Sequence, residues 1–336
     1  ILSYKEATDG QLLEEGITEA GAVSSWIAAA TSYSVHKTPM LPFYIYYSMF
    51  GFQRIGDLIW AAGDQRARGF LVGATAGRTT LNGEGLQHQD GSSHLIASTV
   101  PNCRAYDPCY AHEVAIIFHH GTQQMMEKNV DEFYYLTVMN ENYAHPTCPE
   151  GVEDDLIKGL YSLAKMQPKK KAKARVRLLG SGTILREVEA AAKLLVDDWG
   201  VEVEIFSATS FSELERNGRH CERYNRLHPE EDAKVSHIAK LLKGTDPVIA
   251  ATDYVRAYPQ LIAPYVNASF KCLGTDGFGR SDVRDVLRRF FEVDRHQIVL
   301  AALDSLSQEG KVDRKMLTKA IDLYGIAVDT PDPWSI

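Results

Sequence analysis

The most polar loop of the chain carries the residues best suited to acid–base chemistry. It covers residues 75–93 and holds His88 between the carboxylates of Glu84 and Asp90. A histidine exchanges protons near neutral pH, and neighbouring carboxylates can orient it for that purpose. Glycines let a backbone approach a ligand closely, and five occur from the end of the preceding strand through this loop, namely Gly73, Gly77, Gly83, Gly85 and Gly91. These residues leave two roles open for His88, an acid–base group or a structural loop residue.

Glu19 is the second residue of interest, because its close neighbours are small or apolar. One interpretation is an exposed carboxylate at the start of a helix, where the helix dipole favours negative charge. The other is a buried carboxylate directed at a ligand nitrogen. The local sequence favours the first interpretation. The aromatic segment 43–52 is similarly open to two interpretations, part of the core or a stacking wall, with the core favoured.

Two further glycine-rich turns also leave alternatives open. Gly180-Ser181-Gly182 follows a predicted strand, which is typical of the start of a dinucleotide-binding motif, but Leu185 occupies the third glycine position. A tight connection between strand and helix is therefore the better interpretation. The second turn, Gly274–Asp282, either lines a cleft or only changes the direction of the chain.

The elements that must position these residues predict an α/β fold with two doubly wound domains. In the first domain, strands are predicted at 41–47, 70–74 and 133–138, with helices at 12–31, 53–68 and 111–126. In the second, strands are predicted at 176–179, 201–206 and 247–251, with helices at 184–199, 282–291, 295–308 and 313–324. This alternation implies parallel sheets, and ligands bind such sheets at the carboxyl ends of strands. We place the first domain at 1–165, a linker at 166–175 and the second domain at 176–336.

Composition argues against several classes of protein. The 336 residues are 45% hydrophobic and 24% charged, which is typical of a globular protein. The net charge of −8 argues against nucleic acid or an anionic membrane as a partner, and no apolar run approaches the roughly 18 residues that cross a bilayer. Five cysteines without a C-x-x-C pair favour a reducing cytoplasm over a disulfide framework. The basic run 169–175 is interpreted as a solvated linker.

Three segments together closely resemble the homodimeric bacterial type of pyruvate dehydrogenase decarboxylating component. They are residues 16–21, 42–54 and 80–91, and the likeness continues at 104–108, 179–182 and 274–282. The resemblance implies thiamine diphosphate chemistry and the fold of the transketolase superfamily. Residues 1–165 would then be a pyrimidine-binding domain, incomplete at its start, and 170–336 a transketolase C-terminal-like domain.

The resemblance also implies roles for the residues around the cofactor. Glu19 would hydrogen-bond a ring nitrogen of the aminopyrimidine and favour its imino tautomer. Phe50 would stack on the pyrimidine, and Tyr47 would line the same wall. Ile17 would be the apolar wedge that bends the cofactor into its V shape.

For the substrate, the resemblance assigns His88 to orienting pyruvate or handling protons, with Glu84 tuning it. The implied reaction is decarboxylation of pyruvate, followed by passage of the acetyl unit to a lipoyl group on an acetyltransferase component. In this family the active site lies between subunits, so a homodimer partner is also implied.

One departure from the family concerns the metal. Family members bind Mg²⁺ and the diphosphate through a Gly-Asp-Gly motif, and no such triplet occurs in this sequence. Only 18 residues precede Glu19, and the first residue is Ile. We therefore expect the C-terminal piece of a longer polypeptide, with the metal ligands on the remainder or on a separate diphosphate-binding chain. The alternative is a truncated, non-catalytic structural or regulatory dimer partner, and a weaker one is transketolase itself.

Overall fold

Two mainly parallel β-sheets organise residues 5–336, the part of the chain that the computed structural model describes. The strands are β1 (Phe43–Tyr47), β2 (Phe70–Ala74), β3 (Cys103–Tyr106), β4 (Phe133–Val138), β5 (Tyr161–Met166), β6 (Ala174–Gly180), β7 (Val201–Ser207), β8 (Val248–Ala251) and β9 (Phe270–Leu273). The first sheet has the order β1-β2-β4-β3, and all its neighbouring strands are parallel. The second has the order β5-β7-β6-β8-β9, in which β5 is antiparallel to β7. The predicted α/β class is confirmed.

Helices connect the strands of both sheets. The first unit contains α1 (Glu19–Ala30), α2 (Ser32–Val35), α3 (Phe52–Asp64), α4 (Ser93–Ala97), α5 (Ala111–Thr122) and α6 (Glu153–Ile157). The second contains α7 (Ile184–Asp197), α8 (Phe211–Leu227), α9 (His237–Leu241), α10 (Ala257–Gln260), α11 (Arg284–Phe290), α12 (Arg295–Gln308) and α13 (Lys315–Tyr324). A π-helical turn at Gln123–Glu127 continues α5, and 3₁₀ turns cover Ser48–Phe50, Leu86–His88, Ala263–Tyr265 and Pro333–Ser335. No helix within residues 5–336 is both long and apolar enough to cross a membrane.

The first helix is shorter than predicted. Residues 12–31 were expected to be helical throughout, but α1 begins at Glu19. Thr18 caps it in an extended conformation, with its side chain accepting from the Gly21 backbone N–H, and Gly16 lies in the left-handed region at φ +70°. Because an N-cap residue has non-helical dihedral angles, the helix cannot continue backwards through Thr18.

The predicted linker lies inside the second sheet. Strand β5 pairs with β7, so residues 161–166 belong to that sheet, and the expected boundary at 165 falls within a strand. Residues 167–173 form the loop between β5 and β6, and Lys169, Lys170 and Lys171 are exposed there. Hydrophobic periodicity missed β5 because Tyr161–Met166 contains serine, alanine and lysine, and it is an edge strand with less apolar surface to bury.

The carboxyl ends of the two sheets meet. Asp107, which follows β3, receives a backbone hydrogen bond from Gly182 after β6 at 3.0 Å, and its own N–H donates to Thr209 after β7 at 2.8 Å. Arg78, which follows β2, donates its backbone N–H to Asp253 after β8 at 3.3 Å. In a protein with one such sheet, the carboxyl ends of the strands would be free to bind ligands. Here these strand ends are buried against the other domain.

Candidate functional site

His88 lies in a small aromatic pocket at the carboxyl end of the first sheet. Its ring centroid is 5.3 Å from that of Tyr47 and 5.2 Å from that of Phe50. Strand β1, which ends at Tyr47, is the parallel neighbour of β2, and the loop that carries His88 follows β2. Parallel neighbours end at the same edge of a sheet, so the two segments are brought together.

One nitrogen of His88 has no hydrogen-bond partner. Its Nδ1 is buried and unbonded within the described residues, with the carboxylate oxygen Oε2 of Glu84 at 3.8 Å. That distance is too long for a hydrogen bond but close enough for electrostatic attraction to a protonated ring. A buried polar atom without a partner is uncommon, and this one can still accept or donate a proton to a ligand.

Glu19 joins this group through Arg54. The Arg54 Nη1 donates to Glu19 Oε1 at 3.0 Å, and the guanidinium carbon lies 4.0 Å from the Phe50 ring centroid. Within residues 5–336 the second carboxylate oxygen of Glu19 makes no hydrogen bond. Contacts therefore run without interruption from Glu19 through Arg54 and Phe50 to His88. Glu19 is the first residue of α1, as the first interpretation expected, but its side chain is only 18% exposed.

Ile17 is not part of this contact group. Its side chain is fully exposed, at 102% of its reference area, so it packs against none of the other candidate residues. Tyr47 is also half exposed, at 45%. Tyr47, which contacts His88, therefore leaves one side of the pocket partly uncovered among the described residues, as expected of a wall that a flat, partly apolar ligand would cover.

A buried aspartate at the end of the polar loop organises the pocket. Asp90 accepts from Ser48 Oγ at 2.5 Å, from Gln53 Nε2 at 2.7 Å and from the backbone N–H groups of Ser92 and Ser93 at 3.0 Å each. These bonds tie the end of the His88 loop to the turn after β1 and to α3. Sequence reasoning assigned no role to Gln53 or Arg54, although both lie in the segment 42–54 that carries the resemblance.

The second domain holds the start of the same loop. Asp253 accepts from the backbone N–H and the hydroxyl of Thr79 at 2.8 and 2.7 Å, and from those of Thr80 at 3.1 and 2.6 Å. Burial raises the pKa of the Asp253 carboxyl, while the two threonine hydroxyls, the Arg288 charge and the Thr79 backbone N–H oppose that rise. Arg78 donates to the carbonyl oxygens of Thr275 and Gly277 at 2.5 Å each.

The turn Gly180-Ser181-Gly182 joins the domains and has no space for a dinucleotide. Its Ser181 hydroxyl donates to Asp107 Oδ2 at 2.9 Å, and a Cβ on Gly182 would lie 2.6 Å from that same oxygen. A Cβ on Gly180 would lie 2.6 Å from the Cα of Leu185. The glycines therefore allow close packing within and between the domains, which agrees with the interpretation as a tight connection.

The candidate residues have chemistry suited to the ring end of thiamine diphosphate, the cofactor that the resemblance implies. A carboxylate with one unbonded oxygen, aromatic rings and a histidine with an unpaired nitrogen are suited to a heteroaromatic ring and a small keto acid. Among residues 5–336 no group of three or more His, Cys, Asp or Glu side chains is arranged to hold a metal ion. The described part of the chain therefore offers no cluster of this kind for Mg²⁺.

The chain is similar to known proteins over nearly its whole length. Residues 1–146 match the family described as pyruvate dehydrogenase E1 component middle domain, and residues 159–294 match the transketolase-like C-terminal domain. The pyruvate dehydrogenase E1 component of Pseudomonas aeruginosa is 59% identical over 335 residues, which cover 99% of this chain and 38% of that protein. The chain thus spans well under half the length of the curated relatives it matches.

Solved structures with low sequence identity show the same fold. A transketolase from Campylobacter jejuni gives a TM-score of 0.59 at 17% identity, covering 86% of this chain and 39% of that one. A split-gene transketolase, solved as an inactive β4 tetramer, gives 0.58 at 12% identity, covering 87% of this chain and 83% of that one. At these identities the likeness concerns the arrangement of the two α/β domains alone.

Proposed function

Because this chain belongs to the pyruvate dehydrogenase E1 component family, we propose that it contributes the pyrimidine and substrate side of an active site that decarboxylates pyruvate. The acetyl unit would pass to a lipoyl group on an acetyltransferase component. The observation that carries this proposal is the contact group of Glu19, Arg54, Phe50 and His88. It links a candidate cofactor carboxylate to a candidate substrate histidine.

Thiamine diphosphate, when bound, supplies the electron sink that decarboxylation of a 2-keto acid requires. In this proposal Glu19 holds a proton at its free oxygen beside a pyrimidine nitrogen, while Arg54 keeps the other oxygen fixed. Tyr47 and Phe50 provide the aromatic wall, and Ile17 would be covered when the cofactor binds. Fixing one carboxylate oxygen orients the other, which lowers the entropy lost when the proton is transferred.

His88 would orient pyruvate and exchange a proton with it. Among residues 5–336 its Nδ1 has no hydrogen-bond partner and lies 3.8 Å from the Glu84 carboxylate oxygen Oε2, so Glu84 is close enough to orient the ring. Glu84 is the more exposed of the two side chains, which allows it to adjust when a ligand enters. We therefore assign proton exchange to His88 and tuning of the ring to Glu84.

The remaining requirements lie outside these residues. Mg²⁺ and the diphosphate would be held by the remainder of the polypeptide or by a separate diphosphate-binding chain, because the Gly-Asp-Gly motif does not occur here. We further propose a homodimer whose partner completes the pocket, and a cytoplasmic location. The domain division at residue 165 remains a proposal, modified by the pairing of β5 with the second sheet.

A non-catalytic dimer partner is the second candidate function. The split-gene transketolase chain of the same fold is an inactive tetramer, and this chain covers 83% of it. That observation favours the idea that these two domains alone do not suffice for catalysis. The mass of the native gene product distinguishes the candidates, since the enzyme requires a far longer polypeptide or a co-purifying chain. Transketolase remains the weaker alternative, supported by the fold alone.

The role of Glu19 can be tested in the complete native polypeptide with thiamine diphosphate and Mg²⁺. Glu19→Gln should lower the release of carbon dioxide from pyruvate by about 100-fold or more, since general acid–base groups contribute about that much. Glu15→Gln is the matched control, because Glu15 precedes the same helix and binds the Ser25 hydroxyl at 2.6 Å. Circular dichroism should be unchanged in both variants. Turnover of Glu19→Gln within twofold of the unmodified enzyme would exclude the proposed role.

A further inference from the structure

The turn Gly274–Asp282 of the second domain docks directly onto the segment that carries His88. A Cβ built on Gly279 would lie 2.6 Å from the carbonyl oxygen of Leu86, 2.7 Å from Gln89 Oε1 and 3.0 Å from Gln89 Cβ. Leu86 and Gln89 flank His88 in the chain, and Leu86–His88 is a 3₁₀ turn. Gly279 is buried. Only a residue without a side chain allows this approach.

Gln89 connects the two segments by hydrogen bonds. Its buried side chain accepts from the Arg280 backbone N–H at 2.6 Å and donates to the Leu81 carbonyl oxygen at 2.8 Å. The Gly83 N–H also donates to the Asp282 carbonyl oxygen at 3.2 Å. The loop is therefore bound to the turn on both sides of His88.

The His88 ring has few bonds of its own. Its ring nitrogen Nδ1 makes no hydrogen bond to any residue from 5 to 336, and its aromatic contacts in that range are with Tyr47 and Phe50. Backbone position must therefore determine where the ring lies. A displacement of Leu86 or Gln89 moves His88 with them.

We infer that Gly279 and Gln89 are positioning residues, which hold the His88 ring against Tyr47 and Phe50 through the packing of the second domain's turn on the loop. This inference rests on the proton-exchange role proposed for His88. It gives the turn, whose role the sequence left open, a part in orienting the substrate group. A misplacement of about 1 Å at a reacting group can cost roughly 100-fold in rate.

Gly279→Ala in the complete native polypeptide is the test. A methyl group at 2.6 Å from a carbonyl oxygen must displace the loop, so hydrogen–deuterium exchange of residues 82–92 should become at least about tenfold faster. The kcat for acetyl transfer from pyruvate to a lipoyl acceptor should fall about 10- to 100-fold, with a smaller change in KM. Gly56→Ala is the matched control, because a Cβ there meets no atom within 4 Å.

A double variant separates positioning from a general structural effect. If Gly279 acts through His88, adding Gly279→Ala to His88→Ala should lower kcat by no more than about twofold further. If the loss of kcat in the double variant equals the product of the losses in the two single variants, the inference is overturned. Unchanged exchange of residues 82–92 in Gly279→Ala would also overturn it, whatever the activity.

The outcomes distinguish this inference from the proposed function. Faster exchange together with full activity of His88→Ala would refute the role of His88 and leave the positioning of the loop supported. If Gly279→Ala does not fold, Gln89→Ala removes the two side-chain bonds without adding bulk and takes its place. The same exchange and double-variant measurements then apply, with the same results expected.

Discussion

Asp107 is a buried carboxyl whose replacement should stabilise the chain in a pH-dependent way. It lies between the two domains, where its oxygens accept from Thr137 Oγ1 at 2.7 Å and Ser181 Oγ at 2.9 Å. In Asp107→Asn, the amide oxygen can still accept from Thr137, and the amide nitrogen can donate to Ser181. The substitution removes the negative charge and keeps two hydrogen bonds.

The size of this change in stability follows from the pKa of Asp107 in the folded and the unfolded state. Burial raises the pKa of Asp107 from its ordinary 3.8 to about 7 in the folded state. That difference corresponds to about 4 kcal/mol, since each tenfold change in acid dissociation is worth about 1.4 kcal/mol. Well below pH 3.8 the carboxyl is protonated in both the folded and the unfolded state, so its ionisation does not change the free energy of unfolding. As the pH rises towards 7 only the unfolded chain ionises, so the free energy of unfolding falls.

Denaturant titration of the 336-residue chain at pH 5 and pH 8 measures this effect. Asp107→Asn should gain stability relative to the unmodified chain, and the gain should be about 2.5 kcal/mol larger at pH 8 than at pH 5. Subtracting the gain at pH 5 from the gain at pH 8 removes any effect of the asparagine amide on stability that does not depend on pH. Asp329→Asn is the control, because Asp329 is exposed and should show no such difference. A difference below about 1 kcal/mol for Asp107→Asn would refute the reasoning.

Two further substitutions test the packing of the domains. Arg78→Met should lower the free energy of unfolding by about 2 kcal/mol, because the carbonyl oxygens of Thr275 and Gly277 lose their donor. The denaturation midpoint measures this, and an unchanged midpoint would show that water replaces the guanidinium. Phe206→Ala should cost about 3–5 kcal/mol in the same assay, since its ring is 1% exposed in the core of the second domain. A loss below 1 kcal/mol would mean that the core closes around the cavity.

Much of the fold could be predicted because strands buried on both faces are apolar throughout. Phe70–Ala74 and Val248–Ala251 are short, almost entirely buried runs, and both were predicted as strands. Strands β3 and β9 were not predicted, because Cys103–Tyr106 and Phe270–Leu273 each contain a long basic residue whose charge interrupts the apolar pattern. Their burial depends on neighbours far along the chain, which local periodicity does not contain.

The parts of the candidate site that lie at the ends of neighbouring strands are the parts that a sequence can predict. Tyr47 and His88 lie close together because β1 and β2 are parallel neighbours that end at the same edge of the sheet, an arrangement that does not depend on helix packing. The ion pair between Arg54 and Glu19 depends on how α1 and α3 pack on each other, which sequence spacing does not specify. The same holds for Gly279, whose partner Leu86 lies in another domain.

The bonds between Asp253 and the His88 loop also impose an order on folding during synthesis. Thr79 precedes Asp253 by 174 residues. At roughly 5–20 residues per second, the ribosome needs on the order of 10 to 35 seconds to produce that interval. Throughout it, the first sheet can form while the hydroxyls and amides of Thr79 and Thr80 remain solvated. The loop that carries His88 can therefore make its bonds to Asp253 only after that residue has left the ribosome.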